Sequence, residues 1–204
     1  FMNNLLQSIG TLALENGNMD VYTAITMLSE LMHYTYRGDL KTVPLDTELE
    51  YMERYIAVQK IRFGDALRYR TEIEPALMSV PVPNMILQPL IENAINYGFR
   101  AGVRELNICL RAFRRDGWLH LLVTDDGRGM QPEQLEKIRE ELSQTRNIDS
   151  FGEHIGLKNV YLRLYLTFGE QMNMSVESRL MEGTQVEMSF AVMEWKEEAE
   201  CIPH

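Results

Sequence analysis

The chain has 204 residues, room for one large domain or two small ones, and its 45% hydrophobic and 25% charged content is an ordinary globular mixture. A net charge of −10 disfavours a direct nucleic-acid partner, although local N–H groups, a metal ion and a few cations can still hold a nucleotide. Two distant cysteines, Cys109 and Cys201, make neither a disulfide framework nor a metal motif, and no apolar stretch reaches bilayer-spanning length.

The first elements read as helices. Leu5, Leu6, Ile9, Leu12 and Ala13 repeat at helical spacing, Asn16-Gly17-Asn18 interrupts, and Val21, Ile25, Leu28, Leu31 and Met32 resume it. A short break between two such segments predicts an antiparallel helical hairpin. A third helix starts at the Pro44/Asp46 signal and ends at Gly64-Asp65. Its apolar stripe is Leu45, Leu49, Met52, Ile56 and Phe63, with Glu48, Glu50, Glu53 and Arg54 off the stripe.

After residue 66 the pattern changes. Residues 67–74 alternate like a strand, 75–84 form a proline-bearing loop, and 85–99 return to helix. A hairpin follows, 103–113 and 118–124, around Asp116-Gly117. Helices over 131–144 and 155–169 come next, and then strands 172–178 and 184–192 around Glu182-Gly183. These elements predict a mostly antiparallel sheet with helices layered on one face. The last residues, 193–204, read as an acidic peripheral tail.

Three stretches could carry chemistry. IENAINYGF puts Glu92, Asn93, Asn96 and Arg100 on one helix face, where an amide oxygen can ligate Mg²⁺; the same face also suits plain solvation. TDDGRGM runs a strand into a carboxylate and two glycines, which suits either an ordinary turn or a close approach to a ligand amine. FGEHIGLKNV leads two glycines into a helix start, a weak phosphate signal that matches neither the P-loop nor the dinucleotide fingerprint.

In this order, an Asn-bearing helix, a DxGxG strand end and a GxxxGL helix entry resemble the Bergerat-type ATP fold of sensor histidine kinases, gyrase, the large chaperone ATPases and MutL repair proteins. The resemblance implies ATP and Mg²⁺. It sets Asn93 at the Mg²⁺-binding asparagine of the N box, with Asn96 and Tyr97 beside it. Asp125, Gly127 and Gly129, followed by Met130, match the G1 box, whose aspartate reads adenine. Gly152 and Gly156, with Leu157 and Lys158, match the G2 box, which flanks a lid running from about Met130 to Gly156. Gly183-Thr184 resembles the closing turn in which the threonine helps to surround adenine.

SELMHYTYRGDLKTVPLDTELEYMERYIAVQKIRFGD and VPVPNMILQPLIENAINYGF are similar to the LytS/YehU-type sensor histidine kinases of bacterial two-component systems. The resemblance implies an α+β chain: a helical dimerisation and phosphoacceptor-type region over 1–65, a Bergerat-type α/β sandwich over 66–192 and the tail over 193–204. FMNNLLQSI matches the family's acceptor helix from the residue after its histidine, with Phe1 on the first Phe and Asn4 on the asparagine. The acceptor histidine is therefore expected just before Phe1, and this chain alone is expected to bind ATP or ADP without phosphorylating itself. Asn4 and Glu92 are the catalytic candidates, Glu92 as the group that polarises the acceptor imidazole. The implied partners are a response-regulator receiver domain and a second copy in a homodimer, with no direct nucleic acid. Membrane contact is expected only through a preceding part, which makes this a cytoplasmic domain of a bacterial inner-membrane protein.

The chain departs from the family pattern at Asn3, Asn96, Tyr97, His154 and Tyr161, where Phe, Lys, His, Gly and Arg are frequent. Losing a Lys and an Arg weakens phosphate neutralisation, and Lys158, Arg100 and Arg163 are the cations available to compensate. The alternative reading is a degenerate kinase acting as a nucleotide- or partner-dependent switch without catalysis. His33, His120, His154 and His204 all miss the acceptor position.

Overall fold

The computed structural model describes residues 42–99, 103–144 and 155–192, together with Ile9, Thr11, Ala13 and Val21 as single helical positions. The expected helical hairpin, apart from those four positions, and the acidic tail lie outside the described residues. The described elements are β1 (Thr42–Pro44), α1 (Leu45–Phe63), β2 (Leu67–Ile73), β3 (Pro81–Pro83), α2 (Gln88–Gly98), β4 (Leu106–Arg115), β5 (Trp118–Asp125), α3 (Pro132–Gln144), α4 (Ile155–Phe168), β6 (Met172–Arg179) and β7 (Gly183–Ala191).

β2, β4, β5, β7 and β6 form one sheet in that order. β2 runs parallel to β4, and the other three pairings are antiparallel. The β4–β5 turn places Asp116 and Gly117 at φ 52° and 84°, the mirror-image turn whose twist suits a hairpin. One sheet face is apolar. Leu110, Val123, Val186 and Val176 lie in a single cross-strand row, and all four belong to the buried core under the helices. The other face carries His120, which sits 2.9 Å from a Glu187 oxygen and stacks on Phe113.

Three expectations need correction. Residues 81–83 are not loop: Pro81–Pro83 pairs antiparallel with Thr42–Pro44. A two-stranded ribbon leaves one side of each strand unbonded, so its prolines forfeit little. The second correction concerns α2, which starts at Gln88 rather than Met85, because Met85 has φ 59° and cannot continue a right-handed helix. The third is Glu48, read as an outward residue. It is 0% exposed, and its carboxylate accepts the backbone N–H groups of Met85, Ile86 and Leu87 at 2.7, 3.1 and 3.2 Å.

Two arginines fasten the outer elements. Arg139 on α3 directs Nε and Nη2 onto the carbonyl of Val176 in the edge strand β6, at 3.1 and 2.9 Å. Arg163 on α4 donates from Nη1 to Asn84 Oδ1 at 3.1 Å, joining that helix to the loop before α2.

Candidate functional site

Along the core-facing side of the sheet, the row after the apolar one is Ile108, Asp125, Thr184 and Ser178. Here the sheet face turns polar while still under the helices. The Gly127 N–H donates to Asp125 Oδ1 at 2.9 Å. Burial nevertheless dominates and raises the Asp125 carboxyl to about 6, against the opposing pull of the Gly127 and Thr184 N–H groups and with a smaller push from Asp126. The adjacent carboxylate points elsewhere: Asp126 takes the Asn107 backbone N–H at 2.7 Å and Asn107 Nδ2 at 2.6 Å. Of the two acids, Asp125 is the one that lines the pocket.

Glycines let the surrounding segments close. A Cβ on Gly127 would stand 2.4 Å from the Cα of Gly98, so the strand end and the end of α2 meet backbone to backbone. Gly129 has φ 64°, and a Cβ there would fall 1.9 Å from the Arg179 carbonyl oxygen. The segment is pinned from both sides. Arg128 N–H donates to Gly98 O at 3.2 Å, while its carbonyl accepts the Met181 N–H. Ser178 Oγ accepts the Met130 N–H at 3.0 Å, donates to Gly183 O at 2.8 Å and lies 2.9 Å from Thr184 Oγ1.

A pocket of about 150 Å³ opens above this floor. That is close to the ~150 Å³ of an engineered cavity that takes up benzene, so a planar ring fits. Asn93, Tyr97, Asp125, Gly129, Met130, Leu157 and Thr184, singled out from the sequence, all line it. Gly127 lies beneath, bound to Asp125. Gly156 abuts Asn93, since a Cβ there would be 3.4 Å from Asn93 Nδ2. Glu92, next to Asn93, accepts Gln88 Nε2 at 2.6 Å. Asn96 is exposed, Lys158 is half-buried, and neither lines the pocket. Asn4 and Gly152 lie outside the described residues, as do Arg100 and His154. Arg163 does not serve the pocket either, its guanidinium being held at Asn84.

The family model of histidine kinase-, DNA gyrase B- and HSP90-like ATPases matches residues 82–193. The chain belongs to this ATPase family. The histidine kinase model matches residues 1–67, ahead of the ATPase domain. An uncharacterized sensor-like histidine kinase of Staphylococcus epidermidis is 35% identical over 163 residues, 79% of this chain and 31% of that protein. The sensor protein kinase HptS of Staphylococcus aureus is 32% identical over 187 residues, 91% of this chain and 35% of that protein. This chain thus spans about a third of the length of these curated relatives. The histidine kinase domain of the Erythrobacter litoralis EL346 blue-light activated histidine kinase shares the fold, with a TM-score of 0.51 at 16% identity over 93% of this chain and 83% of that one.

In this ATPase-family domain several site residues escaped the sequence reading. Val123 and Val186 line the pocket from the same strands as Asp125 and Thr184, two residues away and therefore on the same face. Strand periodicity could have found them. Gly98, Arg128 and Ser178 carry no such signal, because their roles rest on contacts between distant segments.

Proposed function

We propose that this chain is the ATP-binding catalytic part of a two-component sensor histidine kinase. It binds ATP with Mg²⁺ and passes the γ-phosphoryl group to a histidine upstream of Phe1, and thence to an aspartate of a response-regulator receiver domain. The supporting observation is the half-buried Asp125 carboxylate on the floor of a ring-sized pocket, with Asn93 on a second wall.

Each wall has a task in this reading. Asp125 accepts the exocyclic amine of adenine, and Thr184, in register with it, fixes the ring's edge. Val123, Val186 and Leu157 supply apolar surface for the ring faces. Asn93 offers an amide oxygen to Mg²⁺, an ion that keeps most of its waters and takes few protein ligands beside substrate phosphates. When bound, Mg²⁺ neutralises charge building up on the phosphate oxygens. Glu92, whose carboxylate accepts Gln88 Nε2, is in this reading the group that polarises an acceptor imidazole. Phosphoryl transfer depends mostly on positioning and charge stabilisation, and α2 carries both the metal-binding and the polarising side chains. The working unit is a homodimer, and membrane attachment comes through sequence preceding this chain.

The test is a longer chain that includes the residues before Phe1, incubated with γ-labelled ATP. Acid-labile, base-stable label on a histidine is expected. ATP binding without any such label would overturn the kinase reading and leave a nucleotide-dependent switch.

A further inference from the structure

The buried carboxylate of Glu48 has no part in that reading. It comes from α1, yet it serves the start of α2. Three consecutive backbone N–H groups, those of Met85, Ile86 and Leu87, converge on its two oxygens. The left-handed Met85 makes this convergence possible by curling the backbone into a concave set of donors. A negative group also suits the positive end of a helix dipole. Glu48 thus holds the three residues that lead into the helix bearing Glu92 and Asn93.

Further along α1 lies a second buried polar group. Tyr55 lies seven residues after Glu48, two turns along the same face of α1. It is buried, and its hydroxyl is pushed up by that burial and by the neighbouring Glu92 carboxylate. α1 therefore reaches the entry to α2 through Glu48, and the Glu92 carboxylate on α2 acts electrostatically on Tyr55. The start of α1 is itself fixed to the segment that leads into α2: Leu45 N–H donates to Val80 O and Asp46 N–H to Met78 O, both at 2.9 Å. Asn93 stands six residues past Leu87, about 9 Å along the helix axis, so a tilt of that entry carries directly to it.

We infer that Glu48 is a positioning residue for the metal-binding wall of the pocket: its grip on Met85, Ile86 and Leu87 sets where α2 presents Asn93 and Glu92 opposite the sheet-borne Asp125. This rests on the ATP reading above. A residue that merely stabilises the fold would affect both walls alike. A residue that positions α2 affects the metal-binding wall and spares the adenine floor, which hangs on the sheet.

Calorimetry on the 204-residue chain separates these cases, with adenosine, ATP and ATP plus Mg²⁺ as ligands. Glu48→Gln keeps the shape but turns an NH₂ group toward backbone donors. Glu48→Asp keeps the charge but withdraws it by one methylene, and it serves where the first variant fails to fold. The expected result is a loss of about tenfold in the gain of ATP affinity conferred by Mg²⁺, with adenosine affinity within about twofold of wild type. An equal loss for adenosine and Mg·ATP, or no change for either in a folded variant, overturns the inference. If wild type binds none of these ligands, it is the ATP reading that fails, and Glu48 is then judged by amide hydrogen exchange. Faster exchange over Leu90–Ala94 with Leu119–Val123 unchanged supports its hold on α2; equal rates in variant and wild type overturn it.

Discussion

Gly127 and Gly98 touch through their backbones: a Cβ on Gly127 would come within 2.4 Å of the Gly98 Cα. One residue belongs to the strand end that carries Asp125, the other to the helix that carries Asn93. Their contact fixes the distance between the two walls of the pocket.

Gly127→Ala should therefore destabilise the domain by about 2–3 kcal/mol, since the nearest obstructing atom, the Gly98 Cα, is backbone and cannot rotate away. Gly117→Ala is the control. That glycine has φ 84° with open space around it, and should cost only about 1 kcal/mol of backbone strain. Denaturant titration of both variants checks the difference; equal losses would mean that the Gly98–Gly127 contact is not tight.

Asp125→Asn should cut adenosine affinity about tenfold or more, because an acceptor oxygen becomes a donor facing another donor. The fold should not suffer. The ionised carboxylate is disfavoured by burial, so its neutral replacement should be at least as stable at neutral pH. Calorimetry and thermal melting together read the two effects.

The same carboxyl predicts a pH dependence. Its folded value of about 6 lies above the ordinary carboxylate range. Between that range and about 6 the folded protein holds a proton that the unfolded chain has released, so stability from this group falls as pH rises through the window. Ligand binding runs the other way, since the ionised form is the better acceptor. Adenosine affinity should weaken as pH drops below about 6, and Asp125→Asn should flatten the profile. Adenosine is the right probe, as its lack of phosphate removes the nucleotide's own titration.

Arg163→Ala should lower stability by about 1–2 kcal/mol through the lost bond to Asn84. Nucleotide affinity should stay within about twofold of wild type. A large loss of ATP affinity with adenosine binding intact would return this arginine to the phosphates.

The outlines of the long elements were legible in the sequence, since their periodicity reports local burial. Partners across the chain were less so. Nothing in residues 67–73 announces that β2 pairs in parallel with β4, because hairpin logic reads only neighbours in sequence. The prolines at 81 and 83 pointed to a loop, and only the meeting with Thr42–Pro44 makes them a strand. Glu48 was misread for a related reason: charge patterning assigns acids to solvent, and the three N–H groups that satisfy it lie 37 to 39 residues away. At the site, motif spacing picked out the pocket-lining Asp125, Asn93 and Thr184, while the hydroxyl of Ser178 emerged only when Met130 and Gly183 were seen to converge on it.

The grip of Arg139 on Val176 reaches beyond this fold. β6 is the outermost strand of the sheet on that side, and an outermost strand invites pairing by any passing extended chain. With a guanidinium seated on its carbonyl, an intruding strand finds a cation where it needs an acceptor. At Val176 the edge therefore offers one backbone acceptor fewer to such pairing. Loss of Arg139 would show first as clumping at high concentration, before any loss of melting temperature.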